Sequence, residues 1–421
     1  MVRKLLLPDG ARIAVIGGGP AGVFFSLFAF QRIIEDGRRI SIVLFDGKDF
    51  TQAGPKGCNL CAGVISESLV RRLADRGIVL PQEKVQRTIG GYYLQSGAGE
   101  FLLKQPQHES SVTTVFRGNG PRLSRDCSNV SFDDFLLDQL RKLDLNIVSQ
   151  PVVDIEFSKS LDEKTKVVYG IGAARTEYAA DLVVGAFGLS SSLAKKITDS
   201  RLGYRPPRTQ NARCMEVPVD SESIRGGLDD NIVVCNWKSN GEMLFGAIIP
   251  KRNYITINII GGKNVARKDI IEFANLPFIR AKLSDHIDLA RPSCQCSPKI
   301  ALTSARRPFA HRFVVIGDAC CSRHYKNGIE SAMVTAEKAV DVVFTAGVSR
   351  SALRSRYYRC IKRDIIIDNI YGRILFGLYK LVYNSSFFSA VLLRVLEEES
   401  RTERPGLMSN IRARIFFNYS K

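Results

Sequence analysis

The feature that most constrains this chain is a strand that runs without interruption into a glycine turn and then a helix. Ile13-Ala14-Val15-Ile16 is a β-branched apolar run of the kind buried in a parallel sheet. It passes directly into Gly17-Gly18-Gly19-Pro20-Ala21-Gly22, a G-x-G-x-x-G, and an apolar helical stretch follows from Ala21 to about Ile34. Residues 40–45 read as a second strand, ending on Asp46, 24 residues beyond Gly22. Gly17 permits the tight turn, Gly19 lets the backbone approach a pyrophosphate, and Gly22 lets helix and strand pack closely. The first turn of the helix, entered through Pro20, offers the N–H groups of Ala21 and the residues after it to phosphate. Asp46 is placed to hold a ribose hydroxyl. A glycine turn alone occurs in many α/β domains. Strand, glycines, helix, second strand and acid in order make a dinucleotide-binding unit.

At 421 residues the chain is long enough for two or three packed units. Its 60 Lys+Arg against 42 Asp+Glu leave a formal charge of +18, which suits nucleic acid, an anionic membrane surface or an anionic substrate. No RRM, KH or zinc-finger pattern accompanies it, so no nucleic-acid partner is expected. Residues 350–421 hold 14 Lys/Arg against 6 Asp/Glu and are rich in Leu, Ile, Phe and Tyr. Within them, 374–383 and 387–393 are apolar, and neither reaches the length of a spanning helix. Two readings stand: an interfacial helix on anionic lipid through 374–421, or a helix packed on the rest of the protein. The apolar stretch at the start, Leu5-Leu6-Leu7, is too short for a signal peptide. Ten cysteines without an export signal point to a reducing cytosol. The expected location is cytoplasmic, with peripheral attachment to the inner face of the membrane as the tail's contribution.

Far downstream, Phe313-Val314-Val315-Ile316 is another buried strand, ending in Gly317-Asp318-Ala319. Lys326-Asn327-Gly328-Ile329 then opens a helix with small residues at Ala332, Ala336 and Ala339. This pair of segments resembles the second FAD fingerprint of the glutathione-reductase-like flavoproteins. The resemblance implies that Asp318 binds the ribityl chain. It also implies that Asn327, Gly328 and Ile329 bring a helix N-terminus to the flavin pyrimidine, where the dipole favours the anionic reduced form. Between the two fingerprints, residues 180–191 form a third strand and its turn. The flavin hydroxylases of the para-hydroxybenzoate hydroxylase type have G-A-D-G here, and this chain has Phe187 in place of the aspartate. That departure counts against a hydroxylase cycle. Phe132-Asp133-Asp134-Phe135-Leu136-Leu137 resembles a helix that accompanies the same fold, and equally suits an ordinary amphipathic helix.

Gly54-Pro55-Lys56-Gly57-Cys58-Asn59-Leu60-Cys61-Ala62-Gly63 resembles the K-x-C-G-G loop of the geranylgeranyl reductase family, flavoenzymes that saturate isoprenoid double bonds. Phe245-Gly246-Ala247-Ile248-Ile249-Pro250-Lys251 resembles that family's Y-x-W-x-F-P-K strand loosely, matching outright only at Pro250 and Lys251. Fold and FAD transfer with the resemblance; the geranylgeranyl substrate does not, because the large aromatics are replaced. The fold implied is α/β: a Rossmann-type FAD-binding domain interleaved with an antiparallel β-sheet substrate domain, followed by C-terminal helices. Residues 1–85, 112–205 and 301–349 would form the first, 86–111 and 206–300 the second, and 350–421 the basic helical region. Residues 92–103 read as a hairpin, and 231–237, 243–249 and 254–260 as strands.

In that family the loop lies at the reactive edge of the flavin, which makes Cys58 and Lys56 the catalytic candidates. Lys56 would favour the Cys58 thiolate. Cys58 and Cys61 form a C-x-x-C, and Cys294 and Cys296 a C-x-C. Three readings stay open for the four: a zinc or iron–sulfur site, a redox dithiol, or unlinked packing thiols. Cys127, Cys214, Cys235 and Cys360 have no partner by spacing and read as structural, as do Cys320 and Cys321. None of the four histidines lies in a metal-spaced pair; His324, near the Asp318 turn, is the one worth testing. The leading function is reduction of a carbon–carbon double bond in an isoprenoid or other lipid-like substrate by hydride from flavin N5, with NAD(P)H a candidate electron donor. The alternatives are a membrane-associated electron-transfer flavoprotein with a Cys-bound metal centre, and a flavin monooxygenase or halogenase.

Overall fold

The computed structural model describes residues 5–96, 99–104, 112–124, 127–157, 162–200, 202–239, 241–261, 265–283, 287–323 and 328–371, with scattered positions between 374 and 398. The chain divides into two compact units, each assembled from three stretches. The first comprises residues 1–49, 133–209 and 301–370; the second comprises 50–132, 210–300 and 371–421.

The first unit is built on a six-stranded sheet. β1 (Arg12–Ile16) sits between β2 (Ser41–Phe45) and the Leu182–Gly185 strand, parallel to both. Asn146–Val148 extends it beyond β2, and Phe313–Val315 beyond Leu182–Gly185, again in parallel; Phe309–Ala310 closes that edge antiparallel. A sheet of this kind needs strands apolar on both faces, and Ile13, Ala14, Val15, Leu182, Val183, Val184 and Val314 are all buried. Helix α1 (Pro20–Glu35) packs along the Gly328–Thr345 helix. An antiparallel meander of Val152–Glu156, Thr165–Tyr169 and Thr176–Ala180 completes the unit.

The second unit is a large, mainly antiparallel sheet. Asn231–Ser239, Glu242–Pro250 and Tyr254–Gly261 lie side by side, flanked by Thr209–Pro218 and by the hairpin Gly91–Ser96/Gly99–Lys104. Cys294–Cys296 pairs with Thr209–Pro218 at one edge. Alternation gives this sheet two different faces. One carries Met215, Val217, Val233, Trp237, Ile248 and Ile257 under the helices Ser221–Leu228, Arg267–Ala274 and Pro277–Lys282. Gly246 belongs to this side because the Phe273 ring leaves no room there: a Cβ would meet it at 2.4 Å. The other face carries Tyr92, Phe101, Ile232, Val234, Ala247 and Ile249, with half-buried Ala62, Val64, Leu94 and Phe245 packed against them.

The expected domain boundaries need correction. Residues 50–85 and 112–132 belong with the second unit, because Val64–Ile65 and Val85–Ile89 both pair with Val112–Val115 in a small antiparallel sheet. Residues 350–370 are helical, including two π-helical turns, and belong with the first unit. The tail from 374 to 421 lies almost wholly outside the described residues; Ile374, Phe387 and Val391 are described, helical and exposed. Among the described residues no helix is long and apolar enough to cross a membrane.

Candidate cofactor cradle and thiol cluster

β1 ends at Ile16, and the backbone must turn at once to start α1. Gly17 does this at φ +111°, and a Cβ there would stand 2.4 Å from the Ala186 carbonyl oxygen. A Cβ on Gly22 would stand 1.9 Å from the Gly17 oxygen, so helix and turn touch through backbone alone. Gly19 caps α1 in an extended conformation without a side-chain bond, and Pro20 at the first position has no N–H to satisfy. The N–H groups of the first turn are thus left for an anion. Asp46, just past β2, reaches the same loop. Its Oδ2 accepts from the Gly18 N–H at 2.5 Å and its Oδ1 from the Lys48 N–H at 2.8 Å. Burial is the larger influence on it and raises its pKa, against those two hydrogen bonds.

The second turn closes on the first. Gly317 follows the Phe313–Val315 strand at φ +63°, and a Cβ on it would lie 2.7 Å from the Ala21 Cβ. Asp318 Oδ1 lies 3.3 Å from where a Gly328 Cβ would be, at the start of the long helix. Segments some 300 residues apart in sequence therefore form one small-residue cradle, with a carboxylate on each side. Gly17, Gly19, Pro20, Ala21, Gly22, Asp46, Gly317, Asp318, Gly328 and Ile329 all belong to these segments; Asn327 and His324 lie outside the described residues. A phosphate-bearing dinucleotide fits the cradle, because the glycines keep side chains out of it and the helix start offers N–H groups.

Three supports escaped the sequence reading. Thr335 Oγ1 accepts from the Gly317 N–H at 2.9 Å. The hydroxyl of Tyr204 donates to the Ala319 carbonyl at 2.8 Å, and that of Tyr357 to the Val315 carbonyl at 2.7 Å. All three are buried and come from distant segments; only Thr335, two turns into the helix after Gly328, carries a local signal. Phe187 folds its ring over Gly185 and meets Tyr204 edge-on at 6.3 Å. Where the hydroxylases have an acid, this chain packs an aromatic.

In the second unit, Gly54–Lys56 forms a single 3₁₀ turn beside the Cys294–Cys296 strand. The loop is held closely: a Cβ on Gly118 would meet the Gly57 oxygen at 2.3 Å, and one on Gly63 the Val115 oxygen at 1.9 Å. Cys58 is half-buried and Cys61 exposed, and Lys56 is exposed. The Cys58 sulfur accepts from the Leu60 N–H at 3.2 Å and the Cys61 sulfur from the Gly63 N–H at 3.5 Å. Cys294 accepts from the Arg122 backbone N–H, while burial, the larger influence, raises its pKa.

Of the three readings of Cys58, Cys61, Cys294 and Cys296, the metal site gains no support. The two segments do come together, but among the described residues no three His, Cys, Asp or Glu side chains are grouped to hold a metal ion. The thiols are turned to other partners. Cys58 and Cys61 bond their own loop, and Cys296 faces Cys214, a residue that has no partner by sequence spacing. Beside them, Glu216 accepts from Lys251 Nζ at 2.8 Å and from Thr256 Oγ1 at 2.9 Å, and the fully buried Lys251 ammonium lies 4.3 Å from the Phe116 ring centre.

The sequence matches no family model and no curated protein. The fold, however, is shared with solved structures, among them flavin-dependent halogenases. A geranylgeranyl bacteriochlorophyll reductase-like protein from Thermoplasma acidophilum superposes with a TM-score of 0.63 at 14% identity, covering 85% of this chain and 84% of that one. The flavin-dependent brominase Bmp2 gives 0.62 at 15% identity, covering 92% and 93%. The flavin-dependent halogenase CmlS gives 0.60 at 16% identity; the match covers 84% of this chain but only 62% of that longer one. The same architecture thus occurs in two flavin-dependent halogenating enzymes and in a reductase-like protein.

Proposed function

We propose that this chain is an FAD-dependent oxidoreductase that reduces a carbon–carbon double bond in an isoprenoid or other lipid-like substrate. The observation that carries the cofactor is the closure of the Gly317–Asp318 turn and the Gly328 helix start onto the Gly17–Gly22 loop. Bound there, FAD would supply a hydride from N5. The first turn of α1 would hold the pyrophosphate, Asp46 a ribose hydroxyl and Asp318 the ribityl chain. Support for a greasy substrate comes from the second unit. The Cys58 loop contributes Ala62 and Val64 to the same apolar sheet face as Phe245, Ala247 and Ile249. That face carries aliphatic and aromatic side chains, with the Tyr92 hydroxyl as its main hydrogen-bonding group. Cys58 and Lys56, on the loop that borders it, are the proposed groups to orient substrate or pass a proton. NAD(P)H is the proposed source of electrons, and residues 374–421 the proposed contact with anionic lipid.

The fold likeness to halogenases and monooxygenases supports a second reading equally well, in which reduced flavin reacts with oxygen. Phe187, packed against Tyr204, favours the first. The photoreduced protein, held anaerobically, decides. Reoxidation by a lipid alkene with formation of the saturated product supports the reductase. Indifference to alkenes, with oxygenation or halogenation of an aromatic once oxygen and halide are supplied, supports the second reading. Asp318→Ala should lose most of its flavin; full occupancy at unchanged affinity would remove the cofactor assignment from that residue.

A further inference from the structure

We infer that Cys214 and Cys296 are a thiol pair that closes reversibly into a cross-strand disulfide by exchange with a low-molecular-weight disulfide. The two residues lie directly opposite each other in the antiparallel pairing of Thr209–Pro218 with Cys294–Cys296. Two residues along, Ala212 donates its N–H to the Pro298 carbonyl at 2.8 Å, which makes Cys214 and Cys296 a hydrogen-bonding pair of the ladder. Cα atoms of such a pair stand about 5.5 Å apart, inside the roughly 4.4–6.8 Å window of disulfides. Both side chains leave the same face of the sheet. Closing the bond asks only that the two Cβ atoms draw together by up to about 1 Å, to the roughly 3.5–4.5 Å of a disulfide.

Neighbouring thiols are less well placed. Cys294 faces Glu216 across the ladder, and Cys58 and Cys61 bond their own loop. The chemistry of the pair is also divided. Cys214 is buried, and its single S–H proton has two acceptors within reach, the Cys296 sulfur and Asn258 Oδ1, 3.2 Å away. Cys296 is half-buried, and the hydrogen bond from Cys214, with help from Lys251 and Arg213, holds its pKa below the usual thiol value against burial and Glu216. The outer sulfur is therefore the attacking thiolate and the inner one the resolving thiol.

The exchange balances. The Cys296 thiolate attacks glutathione disulfide, forming a Cys296–glutathione bond and releasing one glutathione, which takes a proton from water. Cys214 then gives up its proton to solvent, attacks the Cys296 sulfur and releases the second glutathione. Two protein thiols are oxidised and one disulfide is reduced to two thiols.

The test equilibrates the full-length protein in glutathione buffers of stepped oxidation, quenches in acid, alkylates free thiols and maps the peptides by mass spectrometry. One cross-link joining Cys214 to Cys296 should grow as a two-electron couple and disappear with dithiothreitol. In Cys214→Ser, Cys296 should instead hold one glutathione. Circular dichroism confirms that each sample is folded, and the wild-type map decides even where the variant fails to fold. Both thiols still alkylated in the most oxidising buffer, or Cys296 joined to Cys294 or Cys61, would overturn the inference.

Discussion

The two units are specified in different ways. In the first, the site is made of backbone: glycines that approach carbonyl oxygens, a helix start and two acids at strand ends. In the second, the groups of chemical interest are side chains brought together by strand register, such as Cys214 with Cys296 and Glu216 with Lys251. Close backbone approach leaves a local mark on sequence, because only glycine serves. Register leaves none, because partners 82 or 35 residues apart are joined by topology alone.

The sharpest way to break that comparison is Gly22→Ala. The new methyl would fall 1.9 Å from the Gly17 oxygen, a backbone atom that cannot step aside without reopening the turn. Overpacking typically costs about 1–3 kcal/mol, occasionally more, and here it also displaces the Gly17–Gly22 loop. Flavin-loaded protein should be lost almost completely. Normal flavin content in the purified variant would mean that the cradle does not depend on its glycines.

Next in size is Glu216→Ala in the second unit. It leaves the Lys251 ammonium buried without its carboxylate, and breaking such a pair costs about 3–5 kcal/mol. Chemical denaturation should register that loss, while Glu216→Gln, which can still accept from Lys251 and Thr256, should lose less. Equal losses in the two variants would show that packing rather than charge holds this corner.

These contrasts explain what could be read in the chain and what could not. Strand β1, the glycine loop, Asp46 and the Gly317–Asp318 turn are local patterns, and the structure places each where periodicity and turn chemistry put it. The three central strands of the second unit were equally legible as strand candidates. The domain boundaries were not, because nothing in residues 64–65 announces a partner at 112–115. Nor were Tyr204 and Tyr357, whose hydroxyls satisfy carbonyls more than forty residues away. The cysteines met the same obstacle: spacing singled out Cys58, Cys61, Cys294 and Cys296, while register gave Cys296 a fifth, Cys214, as its neighbour.

Asp46 offers a smaller and pH-dependent test. Burial raises its folded-state pKa above the ordinary carboxylate value, so the folded protein binds a proton more tightly than the unfolded chain. Stability of the cofactor-free protein should then contain a component that falls as pH rises from about 4 through the folded-state pKa. Asp46→Asn should remove that component while weakening flavin binding by roughly tenfold through the lost charged acceptor. An unchanged difference between wild-type and variant stability across that pH range would show that Asp46 is not desolvated as its position requires.

The smallest effect expected comes from the one kind of glycine that carries no such constraint. Gly226 lies inside the Ser221–Leu228 helix of the second unit, exposed, with nothing within 4 Å of where its Cβ would be. No close approach calls for glycine there. Within a helix, glycine is less favourable than alanine by about 0.8–1.0 kcal/mol, because more backbone freedom is lost on folding and no side chain shields the peptide. Gly226→Ala should therefore stabilise the protein by up to about 1 kcal/mol in urea denaturation, with flavin content and absorption spectrum unchanged. Set against Gly22→Ala, the same chemical change would have opposite signs in the two units. If Gly226→Ala destabilises instead, the position makes a contact or adopts a conformation that the helix does not reveal, and glycine tolerance could no longer be read from Cβ clearance alone.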